Sequence, residues 1–244
     1  MLSILLPIVS FFIPLLVIGI VIYIIVMMTK NKDGKTKFKL SAKTLLQIYL
    51  FVISFLTLGI AVIGGVTAIR ASVSYIFEVP FSYTLQRSNS YMGYNETTPI
   101  YEPGYPVKEI QAECYQGNPI HFHGSDFCFD SNERKTDLIN GISLFLSMTI
   151  LFAIHQYAIS KIGEEKIISW LKKIYTFASL ILYSIVSIVA IPTAIFQLTN
   201  YILFETNTNV YSTPSAPAMA IAVVLLAVPL WILFLRETTK LKEE

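Results

Sequence analysis

Four stretches of this chain, residues 1–29, 44–69, 174–204 and 206–235, contain no Asp, Glu, Lys or Arg. A fifth, residues 138–160, also lacks them and carries one histidine, His155. A hydrocarbon core about 30 Å thick is crossed by roughly 20 apolar helical residues, and each stretch supplies them. Only 14% of the 244 residues are charged, against roughly 25% in a soluble domain. The expectation is an all-α membrane protein, a five-helix transmembrane bundle with spans at 1–29, 44–69, 138–160, 174–204 and 218–235. Pro192 in the fourth, overlong span predicts a kink or a helical extension beyond the bilayer. The last span is short because 206–217 is polar. The first lacks the basic leader and small-residue cleavage site of a signal peptide and is followed by lysines, so it reads as a retained span.

Basic residues then set the orientation, because Lys and Arg are held back on the cytoplasmic side during insertion. With five spans, thirteen of the eighteen basic residues fall on one side, in the loops 30–43 and 161–173 and in the tail 236–244. The other side, comprising 70–137 and 205–217, receives five basic and ten acidic residues. The chain is therefore expected to place its N-terminus outside and its C-terminus in the cytoplasm, in the plasma membrane. An even number of spans would divide the lysine clusters between two compartments.

Self-similarity suggests how the spans are arranged. IYLFVISFLTLGIAVIGGVTAIRASVSYIFE at 48–78 and IYTFASLILYSIVSIVAIPTAIFQLTNYILFE at 174–205 both open on IY, carry Phe two residues after the Tyr, and close on an aromatic YIFE or YILFE. Each is followed by a polar segment and a returning span. That order of parts predicts a duplicated helical hairpin, spans two and three matching four and five as a parallel repeat. The returning helices end in ILFAIHQYAIS and VPLWILFLRE, the second with Pro229 and Trp231. These motifs resemble a prokaryotic integral membrane family known as domain of unknown function 5671. The resemblance implies a four-helix unit without assigning an activity. In span two, Ala61 with Gly65, or Gly64 with Ala68, puts small residues four apart on one face, where helices can approach closely.

Residues 70–137 are rich in Tyr, Pro, Gly, Ser and Asn without a helical period, and read as an irregular outer loop forming a cap. Both cysteines, Cys114 and Cys128, lie there. On the outer face of a membrane they favour a disulfide, which by chain entropy stabilises a loop of this length by about 3 kcal/mol. The competing reading is a metal site: His121 and His123 alternate so that both rings can face one side, with Asp126 and Cys128 completing four ligands. Zinc sites need deprotonated thiolates, and a disulfide would consume Cys128. Asn95-Glu96-Thr97 matches the glycosylation acceptor pattern.

An ionisable residue within a span is by default a functional candidate, and His155 is the one such residue. Its place near the cytoplasmic end favours an interfacial or packing role. Gln197, Thr199 and Asn200 form a second polar group near the outer end of span four. HExxH, the Walker loop, GxSxG and GxGxxG are absent from the sequence, so no enzymatic activity and no cofactor are expected. The expected partners are the lipid bilayer and other membrane proteins or a second copy, with no nucleic acid. The function these features favour is a non-enzymatic structural, assembly or binding component; the alternative is a channel or small-molecule transporter built from the repeated hairpins.

Overall fold

The computed structural model describes residues 42–87, 114, 117–162, 168–204 and 212–240. The chain divides into two compact units, Met1–Leu46 and Gln47–Glu244. The expected first span at 1–29 lies outside the described residues. In order, the elements are helix α1 (Ala42–Ile76), the short helix α2 (Val79–Ser82), strands β1 (Gln86–Arg87), β2 (Asn118–Phe122) and β3 (Ser125–Phe129), and helices α3 (Ser131–Ile162), α4 (Ser169–Ile202) and α5 (Pro217–Lys240). Helices α1, α3, α4 and α5 are each long and apolar enough to cross a membrane. The protein is an integral membrane protein, all-α apart from one small sheet.

The helices overrun the boundaries that hydropathy sets. α1 continues to Ile76 instead of ending at residue 69, and α3 begins at Ser131 instead of 138. At 35, 32 and 34 residues, α1, α3 and α4 rise about 48–52 Å at 1.5 Å per residue, well beyond a hydrocarbon core of about 30 Å. Hydropathy locates the lipid; the helix ends only where its backbone groups find other partners. α4 runs as one helix through Pro192.

Lipid tails are as apolar as leucine, so helices in a membrane are held by close van der Waals packing more than by the hydrophobic effect. α1 and α3 show how. A Cβ on Gly64 would stand 2.6 Å from the backbone nitrogen of Phe145, and one on Gly141 would stand 2.5 Å from that of Ala68. The two backbones meet directly, on the Gly64 and Ala68 face. Gly65 fits against the side chains of Leu226 and Phe145. α4 buries a face of small and polar residues, Thr176, Ser179, Tyr183, Ser187, Ala190 and Ala194, and packs along much of its length against α5, whose buried face is mostly alanine.

Apolar clusters close the bundle at its two ends. At the basic end, Leu50, Phe51, Ile159 and Leu171 form a core joined by Trp170 and Tyr175. The side-chain carbonyl of Gln47, itself buried, accepts from the backbone N–H of Ile168, 3.1 Å away. At the opposite end Tyr83, Leu85, Phe122, Phe127 and Phe129 form the core of the cap, with Tyr201 and Phe204 of the α4 end packed against it.

The cap is more regular than its composition suggests. Its three strands pair antiparallel in the order β1-β3-β2. β2 and β3 form a hairpin whose two turn residues, His123 and Gly124, have φ of 48° and 79°, the positive values a type I′ turn requires. Gly117 has φ of 95°, and a Cβ there would lie 2.2 Å from the carbonyl oxygen of Phe129, so glycine alone fits. Alternation along the hairpin turns Phe122, Phe127 and Phe129 inward.

Gly141→Ala and Gly59→Ala should differ in sign. Alanine is the better helix former by about 1 kcal/mol, and a Cβ at Gly59 has nothing within 4 Å, so that variant should gain stability. At Gly141 the added methyl meets the α1 backbone, and overpacking of this kind costs about 1–3 kcal/mol. Thermal unfolding of both variants in one detergent checks this; a rise in Tm for Gly141→Ala would refute the seam.

Candidate functional site

Directly above the glycine contact, the α1–α3 seam turns polar. The Arg70 guanidinium donates to Asp137 Oδ2, and one turn further Arg134 donates to the Ser74 carbonyl across 3.3 Å. Arg70 is followed by Ser74 four residues on, and Arg134 by Asp137 three residues on, so each helix presents its pair on one face. The Arg70 and Asp137 side chains are only 20% and 22% exposed. Tyr83, which follows α2, donates its hydroxyl to the same Asp137 oxygen at 3.1 Å, and Arg70 lies over its ring, 4.6 Å from the centroid. Arg134 lies similarly over Tyr75, at 4.0 Å. Arg70 also contacts the Met219 sulfur of α5. This cluster therefore joins α1, α3, α5 and the start of the cap.

The electrostatics keep it intact. Burial pushes the Tyr83 phenol well above its ordinary range, Arg70 pulls it down and Asp137 pushes it up again. Tyr83 thus remains a neutral donor to the carboxylate throughout the physiological range. Two polar atoms of the cluster, the Nε groups of Arg70 and Arg134, are buried without a hydrogen-bond partner.

The sequence candidates fall on either side of this cluster. Cys114 and Cys128 form the disulfide, which ties residue 114 to the middle strand β3. His121 and Asp126 face each other across the hairpin, with Nδ1 and Oδ1 3.0 Å apart in an exposed pair. His123, in the turn, packs its ring near Phe122 and Phe204, and Cys128 is spent in the disulfide. The four-ligand arrangement of His121, His123, Asp126 and Cys128 is thus not assembled, and among the described residues no group of three or more His, Cys, Asp or Glu side chains is placed to hold a metal. Asn95 lies outside the described residues.

His155 and the Gln197, Thr199 and Asn200 group do not form one cluster. His155 lies toward the basic end, its Nδ1 2.7 Å from the Leu151 carbonyl and its ring 5.8 Å from that of Tyr49. The other three lie near the cap end of α4. There Thr199 and Asn200 are exposed and Gln197 is half-buried, its Oε1 enclosed without a partner. A neighbouring polar contact does form at the basic end, where Gln156 donates from Nε2 toward Ser54 Oγ at 3.2 Å and the Tyr175 hydroxyl at 3.3 Å.

Sequence reasoning missed the Arg70, Asp137 and Tyr83 cluster because each charge was assigned to the loop at the edge of an apolar window. The available signal was their opposite sign at facing ends of two windows expected to pair as an antiparallel hairpin. In comparison with known proteins, no family model matches the chain, and neither a curated protein nor a solved structure matches it. The site's chemistry is carried by its own geometry, which makes a structural clamp beneath the cap.

Exposed ion pairs contribute about 1 kcal/mol or less and breaking a fully buried one costs 3–5 kcal/mol, so Asp137→Asn, which strands the Arg70 charge, should cost roughly 2 kcal/mol. Arg70→Met combined with Asp137→Leu should cost clearly less than the two single changes together. Unfolding curves for the four chains measure the coupling; strictly additive effects would show that the pair does not act as a unit.

Proposed function

We propose that this protein is a non-enzymatic membrane component that presents a rigid, disulfide-closed cap to a binding or assembly partner. The observation that carries this reading is the continuity between cap and bundle. Phe122 sits 6.0 Å from both Tyr201 and Phe204 of the α4 end, Tyr83 packs on Phe129 at 5.1 Å, and Thr213 bonds Leu85 through both its backbone N–H and its hydroxyl oxygen. A surface fixed so firmly to its anchor loses little conformational freedom on binding, which favours recognition. The disulfide supports placing the cap on the oxidising, extracytoplasmic side, and the lysine bias supports the same orientation, with the C-terminus in the cytoplasm of a plasma-membrane protein. The partner is another membrane protein or a second copy of this chain.

The test uses the whole protein in its native membrane. A photo-crosslinking residue at Asn118 or His121, both exposed on β2, should give a discrete adduct that the same residue at lipid-facing Ile150 does not. No adduct at either cap position, together with a monodisperse monomer that carries no protein or ligand out of mild detergent, would end this reading.

A second reading, a channel or small-molecule transporter, is favoured by one feature of α4. Thr176 satisfies its hydroxyl on the Lys172 carbonyl at 2.9 Å, the usual solution within a helix. Ser179 and Ser187, on the same buried face, leave their hydroxyls without partners. Unused hydrogen-bonding capacity along a bundle interior suits a line of water or a small polar solute. Liposomes holding the protein should then take up a solute such as glycerol faster than empty ones, and Ser179→Val or Gln197→Leu should slow the uptake. Uptake equal to that of empty liposomes would rule this reading out.

A further inference from the structure

Where the chain leaves the bundle on the cap side, it exposes large apolar side chains. Ile76 is 77% exposed and Phe77 60% at the end of α1, and Leu203 is 72% and Ile202 69% at the end of α4. They belong to one surface. The Phe77 ring stacks on Phe81 at 5.4 Å, and Phe81 meets the edge of Tyr201 at 5.3 Å, which links the two helix ends through α2.

The level of this surface is set by the α1–α3 register. Because Arg134 bonds the Ser74 carbonyl, the first turn of α3, with Asn132, Glu133 and Lys135 exposed, lies beside Tyr75, Ile76 and Phe77. One flank of the bundle is thus charged at a height where the other is apolar. A bulky apolar surface at that height is costly in bulk water.

What covers it follows from α4. Phe177, Ile181, Ile185, Ile188, Ile195 and Ile202 are all exposed and recur at helical spacing as one stripe. From Phe177 to Ile202 that stripe rises about 38 Å. It exceeds the hydrocarbon core of about 30 Å but fits within the roughly 40–45 Å that includes the headgroup zone. The apolar surface at the cap end continues this exposed face of a helix long and apolar enough to cross a membrane. Its rim suits the same zone: Tyr201 donates its hydroxyl to Glu78 at 3.2 Å, an apolar ring with a polar tip of the kind that collects at membrane interfaces.

We propose that Ile76, Phe77, Ile202 and Leu203 form a collar that docks into the headgroup zone of the bilayer, seating the cap on the lipid surface along the α1–α4 flank. This surface is separate from the exposed hairpin of the cap, so it stands whether or not the cap binds a partner.

Single-tryptophan reporters test it in the full-length chain. The protein has two tryptophans, Trp170 and Trp231, both replaceable by Phe. Leu203→Trp and Ile76→Trp are each reconstituted in phosphatidylcholine vesicles and quenched either by a nitroxide lipid labelled at the top of the acyl chain or by aqueous acrylamide. Lipid quenching at 76 and 203 should exceed that of a His121→Trp control by roughly twofold or more, with acrylamide quenching reversed, as expected of interfacial side chains. Acrylamide quenching as strong as at the control overturns the proposal. So does protection from both quenchers, the signature of a covering protein surface. Should a reporter chain fail to fold, a spin label at Ile202→Cys, with both native cysteines held in the disulfide, decides between the same outcomes through its accessibility to oxygen and to a water-soluble nickel chelate.

Discussion

The structure depends on how closely α1 and α3 approach at Gly64 and Gly141. Inside a bilayer there is little gain in hiding one apolar helix behind another, so a pair of helices is specified by where their backbones can touch. Two glycines and Ala68 allow that contact, since a Cβ on either glycine would meet backbone nitrogen at 2.5–2.6 Å. The contact also fixes which residue lies opposite which. Once Ala68 faces Gly141, the next groups toward the cap are Arg70 with Asp137 and Ser74 with Arg134.

A partly buried ion pair beside such a seam has a role that its modest stability does not describe. Replacing a buried pair by apolar groups is often neutral or stabilising, and the best-attested use of buried polar groups is the selection of register. Here a slip by one turn would leave Arg70 and Asp137 each without the other, beneath a cap that supplies Tyr83 to the same carboxylate. We read the cluster as the device that transmits bundle register into cap position. Tyr83 is both a ligand of the cluster and a member of the cap core, so the two regions share a side chain instead of merely touching.

The bundle was legible in the sequence because charge-free length is a strong signal, and small residues four apart at Gly64 and Ala68 marked a close contact that does form. The pairing of Cys114 with Cys128 followed from placing the two cysteines together on the outer face of a membrane, where a disulfide persists. The sheet was not legible: its strands are five residues or shorter, β2 carries a proline at 119 and is flanked by Gly117 and Gly124, and β1 pairs with β3 from across a long stretch of chain. His123-Gly124 between two short alternating runs was the one local hairpin signal. His121, His123 and Asp126 looked like ligands because alternation puts both histidines on one side of an extended strand. The turn reverses the chain at His123 and sends its ring toward Phe204, which separates it from His121. His155 and Gln197 lie toward opposite ends of the bundle, as their places in spans three and four implied.

The sheet also constrains how the cap can recognise anything. A two-residue turn makes Phe122 and Ser125 a hydrogen-bonded pair, so alternation leaves the backbone groups of His121 and Pro119 facing outward from β2. Pro119 has no N–H to offer, a common guard on an edge strand. The far edge is taken as well, because Gln86 bridges Ser212 and Thr213 bonds Leu85. Strand addition, in which main-chain bonds supply the affinity, is therefore disfavoured on both edges. Any recognition by the cap would fall to side chains, and on the hairpin those exposed are Asn118, Pro119, His121, His123 and Asp126. The pairing of His121 with Asp126 at 3.0 Å belongs to this exposed polar surface of the hairpin.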